Sequence, residues 1–262
     1  LGNMAAKSVA SRVDFSFFNL NGFDACFASP VTDHNKKHVI LHLHGGAYVS
    51  GDIQYAKGFA GVLASDTNTK VLSIAYRLAP EHPFPAAVED AYAAYVYLLD
   101  SGYSASDISL VGESAGGGLI YCLCLMLKQR KMPLPAALVG ISPWADLTFG
   151  GQSIKSNGRK DPSLSADVLR KHAQDYAHGQ AGDPLVSPVF GDLSGFPPSL
   201  LFAGSEEILL DDAKMLADRL TKNGSRCELV IEEGLWHVYV LFRIPEAKKA
   251  ITKMVDFLEK NK

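Results

Sequence analysis

Short runs of apolar residues alternate along this chain with longer segments of helical character. The apolar runs predict buried strands. The predicted strands lie near residues 14–20, 23–28, 38–43, 70–75, 107–111, 136–142, 199–203 and 227–232, and the predicted helices near residues 54–66, 85–101, 115–131, 165–178, 211–223 and 245–260. This alternation predicts an α/β fold, in which helices cover both faces of a mostly parallel, twisted sheet. Because no repeat or low-complexity linker interrupts it, we expect one domain over residues 1–262.

Residues 146–192 break the alternation of strands and helices. This stretch is rich in Gly, Ser, Asp and Lys, contains two Asp-Pro pairs, and offers one predicted helix. It falls between the strands predicted near residues 136–142 and 199–203, above the carboxyl edge of the sheet. An insertion at this place predicts a lid over a site at that edge.

One serine stands between a predicted strand and a predicted helix, in the segment 112–116, which reads Gly-Glu-Ser-Ala-Gly. This is the G-x-S-x-G form of a nucleophile elbow, a sharp turn that exposes the serine hydroxyl at the top of the sheet. The positions two before and two after Ser114 must be small, because larger residues would collide in a strained turn. The alternative is a glycine-rich loop with an incidental serine, since short motifs recur by chance.

A second glycine-rich loop follows the strand predicted near residues 38–43. His44, Gly45, Gly46 and Ala47 form an HGGG-type sequence with alanine in the last place. Acyl transfer passes through an oxyanion, which the backbone N–H groups of such a loop can stabilise together with the N–H of the residue after the nucleophile. The expected oxyanion donors are Gly46, Ala47 and Ala115, with Gly45 shaping the turn.

His237 follows the last predicted strand, near residues 227–232. A hydrolase built on such an elbow keeps its general base in a loop at this place. Packing beside Trp236 is the alternative role for this histidine. The chain order of such a triad is serine, then a carboxylate, then histidine, so the acid is expected between Ser114 and His237.

The loop after the strand predicted near residues 199–203 carries four candidate carboxylates: Glu206, Glu207, Asp211 and Asp212. One of them should accept a hydrogen bond from His237 and fix its tautomer. Asp211 and Asp212 suit the capping of the following helix, because negative charge is favourable at a helix N-terminus. Glu206 and Glu207 lie nearer the strand end, where a catalytic acid belongs. The residues alone do not separate these two.

The other histidines are expected to have structural or solvated roles. His42 and His44 lie two apart on a predicted strand and share a face, but no third metal ligand is near in sequence. We therefore expect no metal, and we expect His44 to orient the oxyanion loop. His172 lies in polar surroundings and is expected to be solvated.

Charge and composition exclude several classes of function. The 262 residues carry a net charge of −3, with a pI near 6.3, which argues against nucleic acid or an anionic membrane as partner. No apolar run approaches the ~20 residues that span a bilayer, and we see no signal peptide. We expect a cytoplasmic protein without stable membrane association. The four cysteines have no disulfide spacing and are expected to be free thiols.

Taken together, these segments resemble the esterases of the bacterial hormone-sensitive-lipase family, within the α/β-hydrolase fold. The matching segments are residues 44–47, 76–86, 112–117 and 142–144, together with the loop that carries the candidate carboxylates and the loop that carries His237. The resemblance therefore spans most of the chain. The family's acid motif, D-x-L-x-D-E, lies over residues 207–212. It puts Glu207 at the acid position, where the family more often has aspartate. The resemblance implies a triad of Ser114, Glu207 and His237.

The resemblance also implies an activity: hydrolysis of short-chain carboxylic esters through an acyl-enzyme on Ser114, with no cofactor and no metal. It implies that residues 146–192 form part of a cap, completed by the N-terminal segment 1–12. By analogy with the family, it implies a homodimer formed through an edge strand or the last helix. Two alternatives stay open. One is a deacetylase or amidase with the same triad, and the other is a non-catalytic small-molecule receptor similar to the plant hormone receptors of this fold.

Overall fold

The computed structural model describes residues 2–32 and 37–262, with side chains from residue 6 onward, and these residues form one sheet of eight strands. The strands are β1 (Val13–Leu20), β2 (Phe23–Pro30), β3 (Val39–Leu43), β4 (Lys70–Ala75), β5 (Ile108–Glu113), β6 (Ala137–Ile141), β7 (Ser199–Gly204) and β8 (Cys227–Glu232). Their order across the sheet is β1-β2-β4-β3-β5-β6-β7-β8. β2 is antiparallel to both β1 and β4, and all other neighbours are parallel. The predicted mostly parallel sheet is confirmed.

The central strands β3, β5, β6 and β7 are buried along their whole length. Their sequences are mostly apolar, as expected for parallel strands covered on both faces. Successive side chains point to opposite faces of the sheet. Leu41 therefore belongs to the core on one face, while its neighbour Ile40 belongs to the core on the other.

Helices cover both faces of the sheet. They are α1 (Gly2–Val9), α2 (Ile53–Thr67), α3 (Ala86–Asp100), α4 (Ala115–Gln129), α5 (Ser153–Ser156), α6 (Ala166–Ala177), α7 (Leu210–Lys222) and α8 (Pro245–Lys260). Apolar residues of α2 and α8 pack on one face, and those of α3, α4 and α7 on the other. α2 begins after Asp52, whose side chain accepts a hydrogen bond from Tyr55 N at 2.7 Å, as an N-cap residue does. None of the helices in the described ranges has the length and apolar content needed to cross a bilayer.

The two helices that the sequence pattern does not predict are the short ones, α1 and α5. α1 packs against α2, and Val9 shares a core cluster with Phe59 and Leu63 of that helix. The predicted cap segment 1–12 is described from residue 2, and Leu1 lies outside the described residues. A contribution of this segment to a cap stays a prediction.

The insertion at residues 146–192 contains α5, the predicted helix α6, and a 3-10 turn at Pro188–Phe190. α6 is amphipathic: Leu169, Ala173 and Tyr176 on one face are buried in the main core, whereas Val168 is 51% exposed. Packing of this face sets α6 close to the carboxyl ends of the strands. The insertion is therefore well placed to form part of the wall of a site at that edge.

Candidate active site

Ser114 lies between the end of β5 and the start of α4, in a conformation that a non-glycine residue rarely adopts, with φ 56° and ψ −121°. Backbone hydrogen bonds hold it there. Ser114 N donates to Ile141 O at 2.8 Å, and Trp144 N donates to Ser114 O at 2.9 Å. The turn has the strained strand-to-helix geometry that the elbow motif predicts.

The two flanking glycines leave the space in which this turn fits. A Cβ atom on Gly112 would lie 2.3 Å from Gly116 O, and a Cβ atom on Gly116 would lie 2.0 Å from Leu43 O. No side chain can occupy either position without moving the backbone. The start of α4 therefore packs closely against the ends of β3 and β5.

His237 and Glu207 extend a chain of hydrogen bonds from Ser114. Ser114 Oγ lies 2.9 Å from His237 Nε2, and His237 Nδ1 lies 3.3 Å from Glu207 Oε2. Glu207 and His237 are both buried. The histidine loop is held by Val238 N, which donates to Ser142 Oγ at 2.9 Å. A hydroxyl, a proton acceptor and an orienting carboxylate thus stand in the order that nucleophilic catalysis needs.

Among the four candidate carboxylates, Asp211 and Asp212 have hydrogen-bond partners other than His237. Asp211 Oδ2 accepts a hydrogen bond from Ser153 N at 2.8 Å, and Asp212 Oδ2 accepts two from backbone N–H groups after β6, at 2.9 and 2.8 Å. Both aspartates lie in the first turn of α7, but these N–H groups come from outside the helix. Burial raises the pKa of Asp212 well above its ordinary value. Glu206 is half-exposed.

A cavity of about 380 Å³ opens beside Ser114 and brings the two predicted motifs together. Gly45, Gly46 and Ala47 line it together with Ser114 and His237. The fourth predicted oxyanion residue, Ala115, is the first residue of α4 and directly follows the serine. The loop after β3 and the elbow therefore face the same space.

Tyr48 fixes the oxyanion loop to the elbow. Ala47 and Tyr48 both have positive φ, 54° and 63°, so the loop turns back on itself directly after Gly46. The buried hydroxyl of Tyr48 donates to Ala115 O at 3.0 Å. The Tyr48 ring also stacks on Tyr176 of α6 at 3.8 Å between centroids, which connects the loop to the insertion.

A buried polar network beneath the site was not predicted. Glu113, the residue before the serine, accepts a hydrogen bond from Gly45 N through Oε1 at 2.8 Å. Its Oε2 lies 2.8 Å from His42 Nε2, and His42 Nδ1 lies 2.8 Å from Ser73 Oγ. One carboxylate thus joins the first glycine of the oxyanion loop to the elbow. The available signal was a charged residue between a predicted buried strand and Ser114, because a charge buried there needs a partner.

His44 is buried and contacts the oxyanion loop, as expected. Its Nδ1 lies 2.6 Å from Gly45 O, and its ring stacks on Tyr76 with centroids 4.3 Å apart. Burial lowers the pKa of His44. Nδ1–H is the donor in the contact with Gly45 O, because a carbonyl oxygen can only accept. In the described ranges, no group of three or more His, Cys, Asp or Glu side chains is arranged to hold a metal ion.

The insertion supplies the opposite wall of the cavity. The lining residues from this segment are Ser163, Leu164, Ser165, Val168, Leu169 and His172. His172, expected to be solvated, is half-buried and borders the cavity. Val168, Leu169 and His172 follow Ser165 by three, four and seven positions, which is the spacing of side chains on one face of a helix. This spacing is the sequence signal that could have identified them as lining residues.

Comparison with known proteins agrees with this arrangement. Residues 40–241 match a family described as having the alpha/beta hydrolase fold. An esterase of Acinetobacter venetianus is 37% identical over 223 residues, which cover 84% of this chain and 74% of the relative. An acetyl-hydrolase of Streptomyces hygroscopicus is 40% identical over 222 residues, again covering 84% of this chain and 74% of the relative.

Solved structures extend the likeness to the whole fold. The crystal structure of an esterase from the bacterial hormone-sensitive lipase family superposes with a TM-score of 0.92 at 37% identity, covering 98% of this chain and 89% of that one. The chain therefore belongs to the α/β-hydrolase fold family, among the esterases of the bacterial hormone-sensitive-lipase group.

Proposed function

We propose that this chain is a serine carboxylesterase, which hydrolyses short-chain carboxylic esters through an acyl-enzyme on Ser114. The observation that carries the proposal is the 2.9 Å contact between Ser114 Oγ and His237 Nε2, with Glu207 at the other ring nitrogen. The esterase and acetyl-hydrolase relatives support the same class of reaction.

Acylation begins when Ser114 Oγ attacks the carbonyl carbon of the ester, while His237 Nε2 accepts the hydroxyl proton. The carbonyl oxygen becomes an oxyanion, and the backbone N–H groups of Gly46, Ala47 and Ala115 stabilise it. His237 then gives the proton to the alkoxide as the carbon–oxygen bond to the alcohol breaks. The alcohol leaves, and the acyl group stays on Ser114.

Deacylation repeats these steps with water. His237 Nε2 accepts a proton from the water molecule, whose oxygen attacks the acyl carbon, and the same N–H groups stabilise the second oxyanion. The proton passes to Ser114 Oγ as the acid is released. Throughout, Glu207 orients the imidazole and stabilises its protonated form. Alanine at position 47 keeps the donor count, because the donor is a backbone N–H.

The size of the cavity favours small substrates. Its volume of about 380 Å³ lies near the lower end of the ~300–1,000 Å³ found for small-molecule sites. Leu164, Val168 and Leu169 provide an apolar wall for a short acyl chain or a small alcohol. Activity is therefore expected to peak at short acyl chains.

The test is the hydrolysis of p-nitrophenyl esters from acetate to palmitate. Wild type is compared with Ser114→Ala and with Ser101→Ala, a matched serine exposed at the end of α3. We expect turnover that peaks at short chains, is lost in Ser114→Ala and is unchanged in Ser101→Ala. Ester binding without turnover in the wild type would instead favour a receptor.

A deacetylase is the second candidate, and the acetyl-hydrolase relative is the observation that favours it. Acetylated sugars and anilides added to the ester series separate a deacetylase and an amidase from a general esterase. The homodimer and the cytoplasmic location remain predictions, which sedimentation analysis and cell fractionation test.

A further inference from the structure

Glu207 reaches His237 from a short segment, residues 205–209, which joins β7 to α7 and which we call the acid loop. One carboxylate oxygen lies 3.3 Å from His237 Nδ1. The other, Oε1, is buried and has no hydrogen-bond partner among the described residues. A carboxylate with one long hydrogen bond does not fix its own orientation, so the backbone of the acid loop has to fix it.

The insertion, rather than the sheet alone, holds that backbone. Asn157, which directly follows α5, donates from its side-chain amide to Ser205 O and to Glu207 O, both at 3.0 Å. Asn157 is buried, with 6% of its surface exposed. One amide that bridges the carbonyls of residues 205 and 207 fixes the curvature of the loop at the acid itself.

Asp161 holds the next residue of the acid loop. Its Oδ2 accepts a hydrogen bond from Ile208 N at 3.0 Å. Its Oδ1 accepts hydrogen bonds from Ser163 N at 2.8 Å and from Leu164 N at 3.2 Å, and both of these residues line the cavity beside Ser114. A single carboxylate therefore connects the acid loop to the wall of the cavity.

We propose that Asn157 and Asp161 are positioning residues, which hold Glu207 at hydrogen-bond distance from His237. This inference rests on the proposed esterase function. In this proposal the segment that contains Asn157 and Asp161 fixes the orientation of the triad acid, besides lying beside the cavity. Without either bridge, the acid loop relaxes, the contact between Glu207 and His237 lengthens, and proton transfer through His237 slows.

The test uses two variants of Asn157 and one matched control. Asn157→Asp keeps the size of the side chain but removes both N–H donors, and Asn157→Ala removes the amide. The control is Ser187→Ala, in the same insertion and equally buried. Ser187 Oγ accepts a hydrogen bond from Leu147 N at 2.8 Å and donates to Ala181 O at 2.7 Å, and both partners belong to the insertion.

Turnover of p-nitrophenyl butyrate is measured per active site, titrated with an organophosphate, so that unfolded molecules do not contribute. We expect both Asn157 variants to lose about 10- to 100-fold in kcat, the order that a displacement of about 1 Å costs. KM should be unchanged, because no side chain in the cavity is altered. The downfield proton NMR resonance of His237 Nδ1–H should move upfield as its hydrogen bond to Glu207 lengthens.

Three results would overturn the inference: parental kcat in Asn157→Asp, an unshifted His237 resonance, or an equal loss of kcat in Ser187→Ala. Asp161→Ala, which removes the acceptor for Ile208 N, provides a second route if Asn157→Ala does not fold. A parent that hydrolyses no ester would refute the proposed function instead. In that case the His237 resonance alone decides whether Asn157 holds Glu207.

Discussion

Glu113→Ala is the perturbation that the buried network makes most informative. Glu113 is 1% exposed, and its carboxylate accepts one hydrogen bond from Gly45 N and contacts His42 Nε2 at the same distance of 2.8 Å. Hydrogen bonds to a charged group contribute about 1.5–3 kcal/mol each, so losing both should lower the free energy of unfolding by roughly 3–6 kcal/mol.

The loss of activity should exceed what the loss of stability explains. Gly45 directly precedes the proposed oxyanion donors Gly46 and Ala47, and Glu113 anchors its N–H. A loop freed at this point no longer holds its donors where the oxyanion forms. Removal of one such donor costs about 2.7–4 kcal/mol of transition-state stabilisation, so kcat should fall by roughly 10²–10³.

Glu113→Gln is the matched control. Its amide oxygen can still accept the hydrogen bond from Gly45 N, and its amide N–H can donate to His42 Nε2 once His42 adopts the other tautomer. His42 Nδ1–H then donates to Ser73 Oγ, which a hydroxyl can accept. We therefore expect Glu113→Gln to keep most of the parental kcat and stability.

The assay combines p-nitrophenyl butyrate turnover, normalised to titrated active sites, with urea unfolding of each variant. The reasoning predicts a large fall in kcat for Glu113→Ala and a small one for Glu113→Gln. It would be refuted if Glu113→Ala kept the parental kcat per active site, or if both variants lost the same amount.

Three further predictions follow from the site. Gly116→Ala should abolish turnover, because its Cβ would lie 2.0 Å from Leu43 O, whereas Gly182→Ala, with no atom within 4 Å of its Cβ, should match the parent in the ester assay. Glu207→Gln should cut kcat by about 10⁴, as loss of the orienting acid does in triads, while Asp212→Asn keeps turnover, and the reverse outcome would mean that the acid is misassigned. Burial raises the pKa of Asp212 above its ordinary value of 3.8, so its contribution to stability is complete below that value and is lost as pH rises through the folded pKa. The gain in melting temperature of Asp212→Asn over the parent should therefore grow from acid to neutral pH, and a pH-independent difference would contradict the raised pKa.

Local rules account for the parts of the molecule that could be predicted from the sequence. Apolar runs locate the eight strands of the described sheet, and small residues at positions 112 and 116 identify the elbow without knowledge of the fold. The chain order of the triad places the acid between Ser114 and His237, and the strand predicted near residues 199–203 points to the loop that follows it. Selection of Glu207 within that loop came from the family resemblance, and the 3.3 Å contact with His237 agrees with it.

Contacts between distant segments account for what could not be predicted. The pairing of Glu113 with His42 depends on the register of β5 against β3, which no periodicity reveals. Asn157 precedes the two residues whose carbonyls it contacts by 48 and 50 positions, and nothing in the residues around Asn157 indicates this contact. α1 and α5 are shorter than the segments that an apolar pattern can identify.

We expect recovery of activity to report on the folding of the whole sheet. Ser114 and His237 are 123 positions apart. The residues of the site lie in the segments that follow β3, β5, β7 and β8. Neighbouring parallel strands are joined only through long crossover connections. No short segment of the chain therefore contains the whole site. Contacts of such high sequence separation form slowly, because loop-closure entropy is lost before they can form. Recovery of hydrolysis after dilution from denaturant should therefore follow the assembly of the whole sheet, and a chain that stops before β8 should have no partial activity.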